Sequence, residues 1–250
     1  MAIGYLNEIV FEGGLPENSY LHALPVVKHL CAHPRLAFDA SVTILVGENG
    51  TGKSTLLEAI AVACGFNPEG GSRNFQFSTN DTHSALHQSL RVVRRAYPKD
   101  GYFLRAESLY NVATNLEQLD RQPAFSRKLI ESYGGRSLHK QSHGESFLAL
   151  VQNRLGGNGL YLFDEPEAAL SPMRQLTLLA EIDRLVKANS QLIIATHSPI
   201  LMAYPGAQIL ELSAEGIRAV DWRETEHYQV TKRFLDSPER MLNYLLDIHK

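Results

Sequence analysis

Apolar residues along the chain gather in short unbroken runs separated by amphipathic stretches. Ser41–Val46, Leu160–Phe163 and Gln191–Ala195 lack strict in–out alternation. That pattern predicts parallel strands covered on both faces. Ile209–Leu212 and Ile217–Val220, separated by Ala214-Glu215-Gly216, predict a hairpin. Apolar positions at helical spacing predict helices over Lys53–Ala63, over His83–Ala96 through Leu86, Leu90 and Val93, and over Ser108–Leu119, Glu145–Leu155 and Pro172–Ala188. Ser171 and Pro172 supply a cap and a first-turn proline for the last of these. From about Thr225 the tail predicts two short helices.

Strands alternating with helices predict an α/β fold: a mainly parallel sheet flanked by helices, with a small helical lobe and an antiparallel β portion. One domain over residues 1–250 is expected. A helical lobe inserted at roughly 78–156 and a helical tail at roughly 225–250 complete it.

Composition narrows the class. The 250 residues are 44% hydrophobic and 20% charged, an ordinary globular balance. Cys31 and Cys64 are far apart without metal-type spacing, which disfavours a disulfide framework and fits a reducing, cytoplasmic setting. The first residues lack the basic and apolar segments of a signal peptide. No apolar run approaches the ~18 residues of a membrane span, so the chain is not expected to cross a membrane by itself. The net charge of -3 argues against a generally basic nucleic-acid binder, though not against a local basic patch.

The candidate chemistry begins where the first strand ends. Gly47-Glu48-Asn49-Gly50-Thr51-Gly52-Lys53-Ser54 fits G-x-x-x-x-G-K-[ST] between a predicted strand and a predicted helix. Glycines let successive backbone N–H groups turn inward on a phosphate, and the following helix starts there with its positive end. Lys53 is placed to reach β and γ phosphates, and the Ser54 hydroxyl to ligate Mg²⁺. Residues Gly47 through Ser54, with Thr55, are the candidate nucleotide-binding set for ATP.

A second feature is Asp164-Glu165 at the end of the run Leu160–Phe163. An acid at that point lies at the carboxyl edge of a parallel sheet, where ligands bind in such folds. Asp164 is the candidate Mg²⁺ ligand, and Glu165 the candidate base for the attacking water.

With these segments the chain resembles the ABC-type ATPases, the group that includes transporter cassettes, SMC proteins and break-repair ATPases. Four further segments carry the likeness. Gln76 stands at the place of the Q-loop glutamine, and Gln141-Ser142-His143-Gly144-Glu145 at that of the Leu-Ser-Gly-Gly-Gln signature. Glu167–Ser171 stands at the D-loop and Thr196-His197-Ser198-Pro199 at the switch histidine. The resemblance implies that Gln76 senses metal and γ phosphate. It implies that His197 contacts the γ phosphate and shares catalysis with Glu165 and Lys53. It further implies that Ser142, His143, Gly144 and Glu145 cap the γ phosphate of a partner's ATP in a twofold homodimer. Gln141, His143, Glu145 and Ser171 depart from the family's usual residues. Closer still is the likeness to small stand-alone bacterial predicted AAA/ABC-like ATPases. About 65 residues separate Gln76 from Ser142 with no sustained heptads, so no long coiled coil is expected.

Arg91, Arg94, Arg95, Arg105 and Arg136 fall in the segment between these two motifs, and Arg136 is a candidate phosphate or partner contact. Tyr5, Phe11 and Tyr20 are candidates for stacking on adenine, although core packing is the expected role of each. The expected activity is Mg²⁺-dependent ATP hydrolysis by a cytosolic switch that works with a nucleic-acid or protein partner. The alternative is a nucleotide-binding subunit of a membrane transporter, and a third reading is a sensor that binds ATP without turnover.

Overall fold

The computed structural model describes residues 4–72, 84–105, 114, 135 and 141–246. Its frame is a seven-stranded sheet. In chain order its strands are β3 (Val42–Gly47), β4 (Gly71–Ser72), β6 (Asp100–Arg105), β7 (Gly159–Asp164), β8 (Gln191–Ala195), β9 (Gln208–Ser213) and β10 (Gly216–Val220). Across the sheet the order is β10-β9-β3-β8-β7-β6-β4. The five central strands from β9 to β6 run parallel, and β10 and β4 close the two edges antiparallel. A second, antiparallel sheet has the order β2-β1-β5, from β1 (Leu6–Phe11), β2 (Arg35–Ala37) and β5 (Leu90–Arg94).

The unbroken apolar runs follow from burial on both faces. Alternate residues of β7 split between two cores. Leu160 and Leu162 join Leu45, Leu56, Ile60 and Ile193 beneath α1 (Pro25–Ala32), α2 (Lys53–Ala63) and the small sheet. Tyr161 and Phe163 join Ile44, Val46, Leu150, Leu178 and Ile194 beneath α3 (His143–Arg154) and α4 (Pro172–Lys187). Each strand residue is therefore removed from water, a gain of roughly 1.5–3 kcal/mol per large apolar side chain.

Two corrections concern the middle of the chain. Residues Ala85–Ser89 form a 3₁₀ turn and Leu90–Arg94 a strand, where the spacing predicts a helix over His83–Ala96. Leu90 and Val92 also sit two apart, and in the structure they pair opposite Phe11 and Ile9. Period two prevails because β1 offers a strand partner and Val92 and Val93 are β-branched. The same finding overturns the start of the helical lobe: the described stretch 84–105 contributes β5 and β6 to the two sheets rather than helices. The expected helix over Ser108–Leu119 lies outside the described residues. In the tail, α6 (Glu226–Asp236) and α7 (Pro238–Leu245) follow a short turn, α5 (Pro199–Met202), and the edge hairpin.

Candidate functional site

The glycine-rich loop leaves β3 and enters α2 with positive φ at Gly47, Gly50 and Gly52. Two of these positions admit no side chain at all. A Cβ at Gly47 would collide with the Leu212 carbonyl oxygen, and one at Gly52 with Val26. Gly52 precedes α2 without any side-chain cap, so the first N–H groups of that helix face the loop. Thr51 Oγ1 donates to the Glu48 carbonyl at 2.9 Å and tightens the turn. Lys53 is only 5% exposed. Its Nζ donates to the carbonyls of Gly47 (2.7 Å) and Glu48 (2.9 Å). A cleft of about 360 Å³ opens beside the loop, bounded by Pro25, Leu212, Ser213 and His227.

Strand order brings the acids to the same sheet edge. β8 lies between β3 and β7, with Ala195 opposite both Leu45 and Asp164. Burial pushes the Lys53 ammonium below its ordinary pKa, while the negative charges of Glu165, Asp164, Glu48 and Glu167 act against that shift. The loop lysine is thus electrostatically coupled to the acids on β7. Glu165 has φ +48, a left-handed conformation uncommon for a side chain-bearing residue, and its N–H donates to the Ala195 carbonyl at 2.9 Å. Such conformations cost about 1–3 kcal/mol and persist where neighbouring structure enforces them.

His197 sits at the end of β8 and closes this group. Its backbone N–H donates to Glu167 Oε1 at 2.5 Å, and its Nε2 lies 3.7 Å from Glu165 Oε1. Burial, Lys53 and His227 all hold the imidazole below its ordinary pKa, against Glu165 and Glu48. These surroundings favour the neutral ring over the imidazolium. Burial raises the Glu167 carboxyl.

Ser142 and Glu145 form a capping box at the start of α3. Glu145 N donates to Ser142 Oγ at 3.4 Å, and Ser142 N and Oγ donate to Glu145 Oε2 at 2.9 and 2.8 Å. Arg174 of α4 donates to both residues, at 3.1 Å to Ser142 and 3.2 Å to Glu145. Ser142 N–H and its hydroxyl hold the Glu145 carboxylate below its usual range. Gly144 is enclosed, since a Cβ there would lie 2.6 Å from Arg174 Nη1 and 2.7 Å from the Ala169 carbonyl oxygen. His143 opens the same helix.

The loop, Asp164, Glu165 and His197 meet at one sheet edge. Gln76 and Arg136 lie outside the described residues. Tyr5 and Phe11 are core residues, Tyr20 is 67% exposed, and none of the three lines the cleft beside the loop. Ser171 makes no side-chain cap bond at the start of α4. Two residues of the site escape the motifs, and a third has a role the motifs do not state. Arg105, at the end of β6, places Nε 3.4 Å from Asp164 Oδ2 and Nη1 2.7 Å from Glu58 Oε2. His227 Nε2 lies 2.8 Å from His197 Nδ1. Glu167 anchors the His197 backbone. Glu167 opens the D-loop segment, but its bond to the His197 backbone is not stated by that motif.

Oxygen donors suit a hard divalent cation. Among the described residues no group of three or more His, Cys, Asp or Glu could hold a metal ion alone. The Ser54 hydroxyl and Asp164 carboxylate, beside a loop that can bring phosphate oxygens, fit Mg²⁺ held jointly with a nucleotide. Among the described residues no helix is long and apolar enough to cross a membrane.

A family model described as an AAA domain matches residues 28–146. A second, described as "AAA domain, putative AbiEii toxin, Type IV TA system", matches residues 146–203. An uncharacterized ABC transporter ATP-binding protein of Haemophilus influenzae is 26% identical over 235 residues, 87% of this chain and 88% of that protein. The thiamine import ATP-binding protein ThiQ of Histophilus somni is 28% identical over 178 residues, 65% of this chain and 81% of that one. Among solved structures, cbiO1 of Clostridium perfringens, part of the ABC transporter complex cbiONQ, superposes with a TM-score of 0.51 at 18% identity, covering 98% of this chain and 100% of that one. An inward-facing putative metal-chelate type ABC transporter superposes with a TM-score of 0.50 at 16% identity, covering 91% of this chain and 88% of that chain.

Proposed function

We propose that this chain is a P-loop ATPase of the ABC type and that it binds Mg–ATP and hydrolyses it between two copies of itself. The observation that carries the reading is geometric: buried Lys53 holds its Nζ on the Gly47 and Glu48 carbonyls of the loop, and β8 joins β3 to β7 so that Asp164 ends at the same sheet edge. A loop built only to turn the chain has no need of a buried ammonium at the sheet edge where two acids also end.

Each residue then has a task. Backbone N–H groups from Gly47 to Ser54 and the open start of α2 bind the β and γ phosphates, with Thr55 on the first turn. Lys53 exchanges its two loop carbonyls for phosphate oxygens. Ser54, Asp164 and Gln76 would hold Mg²⁺, which neutralises charge on the β and γ oxygens when bound. Glu165 accepts a proton from the attacking water as its oxygen bonds to the γ phosphorus. The bond to the β–γ bridging oxygen breaks, and ADP leaves with the electron pair. His197 Nε2 donates to the γ phosphate. Ser142, His143, Gly144 and Glu145 of the second copy cap the same phosphate, with Arg174 beside them.

In the leading reading the dimer is a cytosolic switch that closes on ATP, opens after hydrolysis and moves a nucleic-acid or protein partner. The relatives' names favour a second reading, a nucleotide-binding subunit that docks on separate membrane proteins.

The Glu165→Gln protein tests the core of the reading. It should bind ATP, turn it over at least about 100-fold more slowly than the unaltered chain, and sediment as a dimer with ATP and Mg²⁺. A monomer at saturating nucleotide would rule out the sandwich. Nucleic acid, protein or membrane subunits captured by the trapped dimer separate the two biological readings.

A further inference from the structure

His227 belongs to no motif. It stands on the first turn of α6, thirty residues beyond His197, and its Nε2 lies 2.8 Å from His197 Nδ1 with the rings tilted at 56°. We propose that His227 is a positioning residue: it donates Nε2–H to His197 Nδ1 and thereby fixes His197 as the tautomer that carries its proton on Nε2, towards Glu165. The proposal rests on the ATPase reading above and adds to it a residue of the C-terminal tail.

An N···N contact of this length holds one proton, because two N–H groups facing each other repel and two lone pairs make no bond. Either ring can supply it. The surroundings of the opposite nitrogen decide which. His197 Nε2 lies 3.7 Å from a Glu165 carboxylate oxygen. A proton on Nε2 is attracted to that oxygen, whereas a lone pair there is repelled. A neutral His197 therefore keeps its proton on Nε2 and leaves Nδ1 as the acceptor, so His227 is the donor. A doubly protonated His197 could reverse the bond, but burial and the Lys53 ammonium oppose that charge. The charged and titratable groups around the imidazole include Lys53 from α2, Glu48 from the loop, Glu165 from the end of β7 and His227 from α6, with Glu167 bonded to the His197 backbone.

His227 is also held in place. Fully buried Thr225 donates its hydroxyl to the Trp222 carbonyl at 2.7 Å and accepts the Tyr228 N–H at 3.4 Å. Trp222 and Tyr228 pack edge-to-face at 4.7 Å. Glu167 fixes the His197 backbone; only ring rotation remains, and His227 Nε2 is the contact that tells Nδ1 from the ring's carbon edge. Partners of this kind fix the tautomer of metal-binding histidines, where their removal costs roughly 10- to 100-fold in metal affinity or activity.

The test uses the full chain with His227→Phe, His227→Gln and His197→Ala, alone and combined. ATP turnover is measured with Mg²⁺, and imidazole tautomers are read from long-range ¹H–¹⁵N spectra. His227→Phe should lower kcat roughly tenfold and leave KM within about twofold. The Gln variant, whose amide can donate, should recover most of the loss. In the His197→Ala background His227→Phe should cost nothing more. The unaltered protein should show His197 protonated at Nε2 and bare at Nδ1. The proposal is overturned by an unchanged kcat in His227→Phe, by a loss that persists without His197, or by a proton on His197 Nδ1. A wild-type chain that hydrolyses no ATP overturns the ATPase reading and this one with it. Turnover that ignores His227→Phe overturns this one alone.

Discussion

Arg105 Nε lies 3.4 Å from Asp164 Oδ2, and the same guanidinium reaches Glu58 Oε2 at 2.7 Å through Nη1. Asp164 is 6% exposed, so its charge needs a cation close by, and Arg105 supplies one at the place assigned to Mg²⁺. Replacing Arg105 with Met leaves two largely buried carboxylates without that cation. Such losses run about 3–5 kcal/mol, and partial exposure of Arg105 puts the expected cost near the lower end, about 3 kcal/mol. Mg–ATP should restore more stability to the variant than to the unaltered chain, since the metal replaces the lost charge. Urea unfolding with and without Mg–ATP checks both statements, and equal shifts in the two proteins would count against this role.

Lys53 gives the sharpest binding prediction. In Lys53→Met the aliphatic stem stays buried and the ammonium is lost. ATP affinity should fall by at least about 100-fold, equal to roughly 2.7 kcal/mol, as measured by calorimetry with Mg²⁺. Stability without nucleotide should change little, because only two carbonyl hydrogen bonds are lost and a buried charge is removed with them. Undiminished affinity would remove Lys53 from the phosphate site.

These two residues differ in how readable they are. Lys53 sits in one contiguous word, and Asp164-Glu165 and Thr196-His197 likewise end apolar runs that identify their strands. Their meeting follows from the right-handed parallel order once the strands are recognised. Arg105 reaches Asp164 because β6 pairs with β7 in the register Arg105 to Asp164. Nothing in the spacing of Asp100–Arg105 states that register. His227 is thirty residues from its partner, in a tail with no motif. The strand Leu90–Arg94 was masked by Leu86, Leu90 and Val93, whose spacing fits a helix, and only the edge of β1 decides against it. Ser142 shows the opposite case, since Ser-x-x-Glu spells a capping box directly and the structure forms one.

Tyr161 links the acid strand to its supports. Its hydroxyl donates to Asp100 Oδ2 at 2.9 Å and accepts the Gly157 N–H at 3.1 Å, while Arg154 Nη1 donates to both Asp100 oxygens at 3.1 Å. Burial, with Asp100 nearby, pushes the phenol far above its ordinary pKa, so it remains a donor. Tyr161→Phe fills the same space but leaves the Gly157 N–H and one Asp100 oxygen without that partner. The expected cost is about 1–3 kcal/mol, read as a lower urea midpoint with an unchanged slope. ATP affinity should be unaffected, because Tyr161 faces the core opposite the nucleotide loop's side of the sheet.

Glu167 yields a prediction whose sign depends on pH. Burial raises its carboxyl above the ordinary value, against the hydrogen bonds from the His197 N–H and the Thr196 hydroxyl. A group with a raised folded pKa contributes stability that is fully present below its unfolded value and is lost as pH rises through the folded one. At pH 7.5 the folded chain therefore bears the cost of a buried anion. Glu167→Gln retains a carbonyl oxygen for the His197 N–H and removes the charge. It should stabilise the fold at pH 7.5, and the gain should shrink as pH falls below the ordinary carboxylate value. Chemical unfolding of both proteins at pH 7.5 and pH 4 measures the difference. A variant less stable at pH 7.5, with His197 still in place by its imidazole spectrum, would mean that the ionised carboxylate stabilises the native state instead. The acid would then be kept for its charge beside Lys53 rather than tolerated as an anchor for His197.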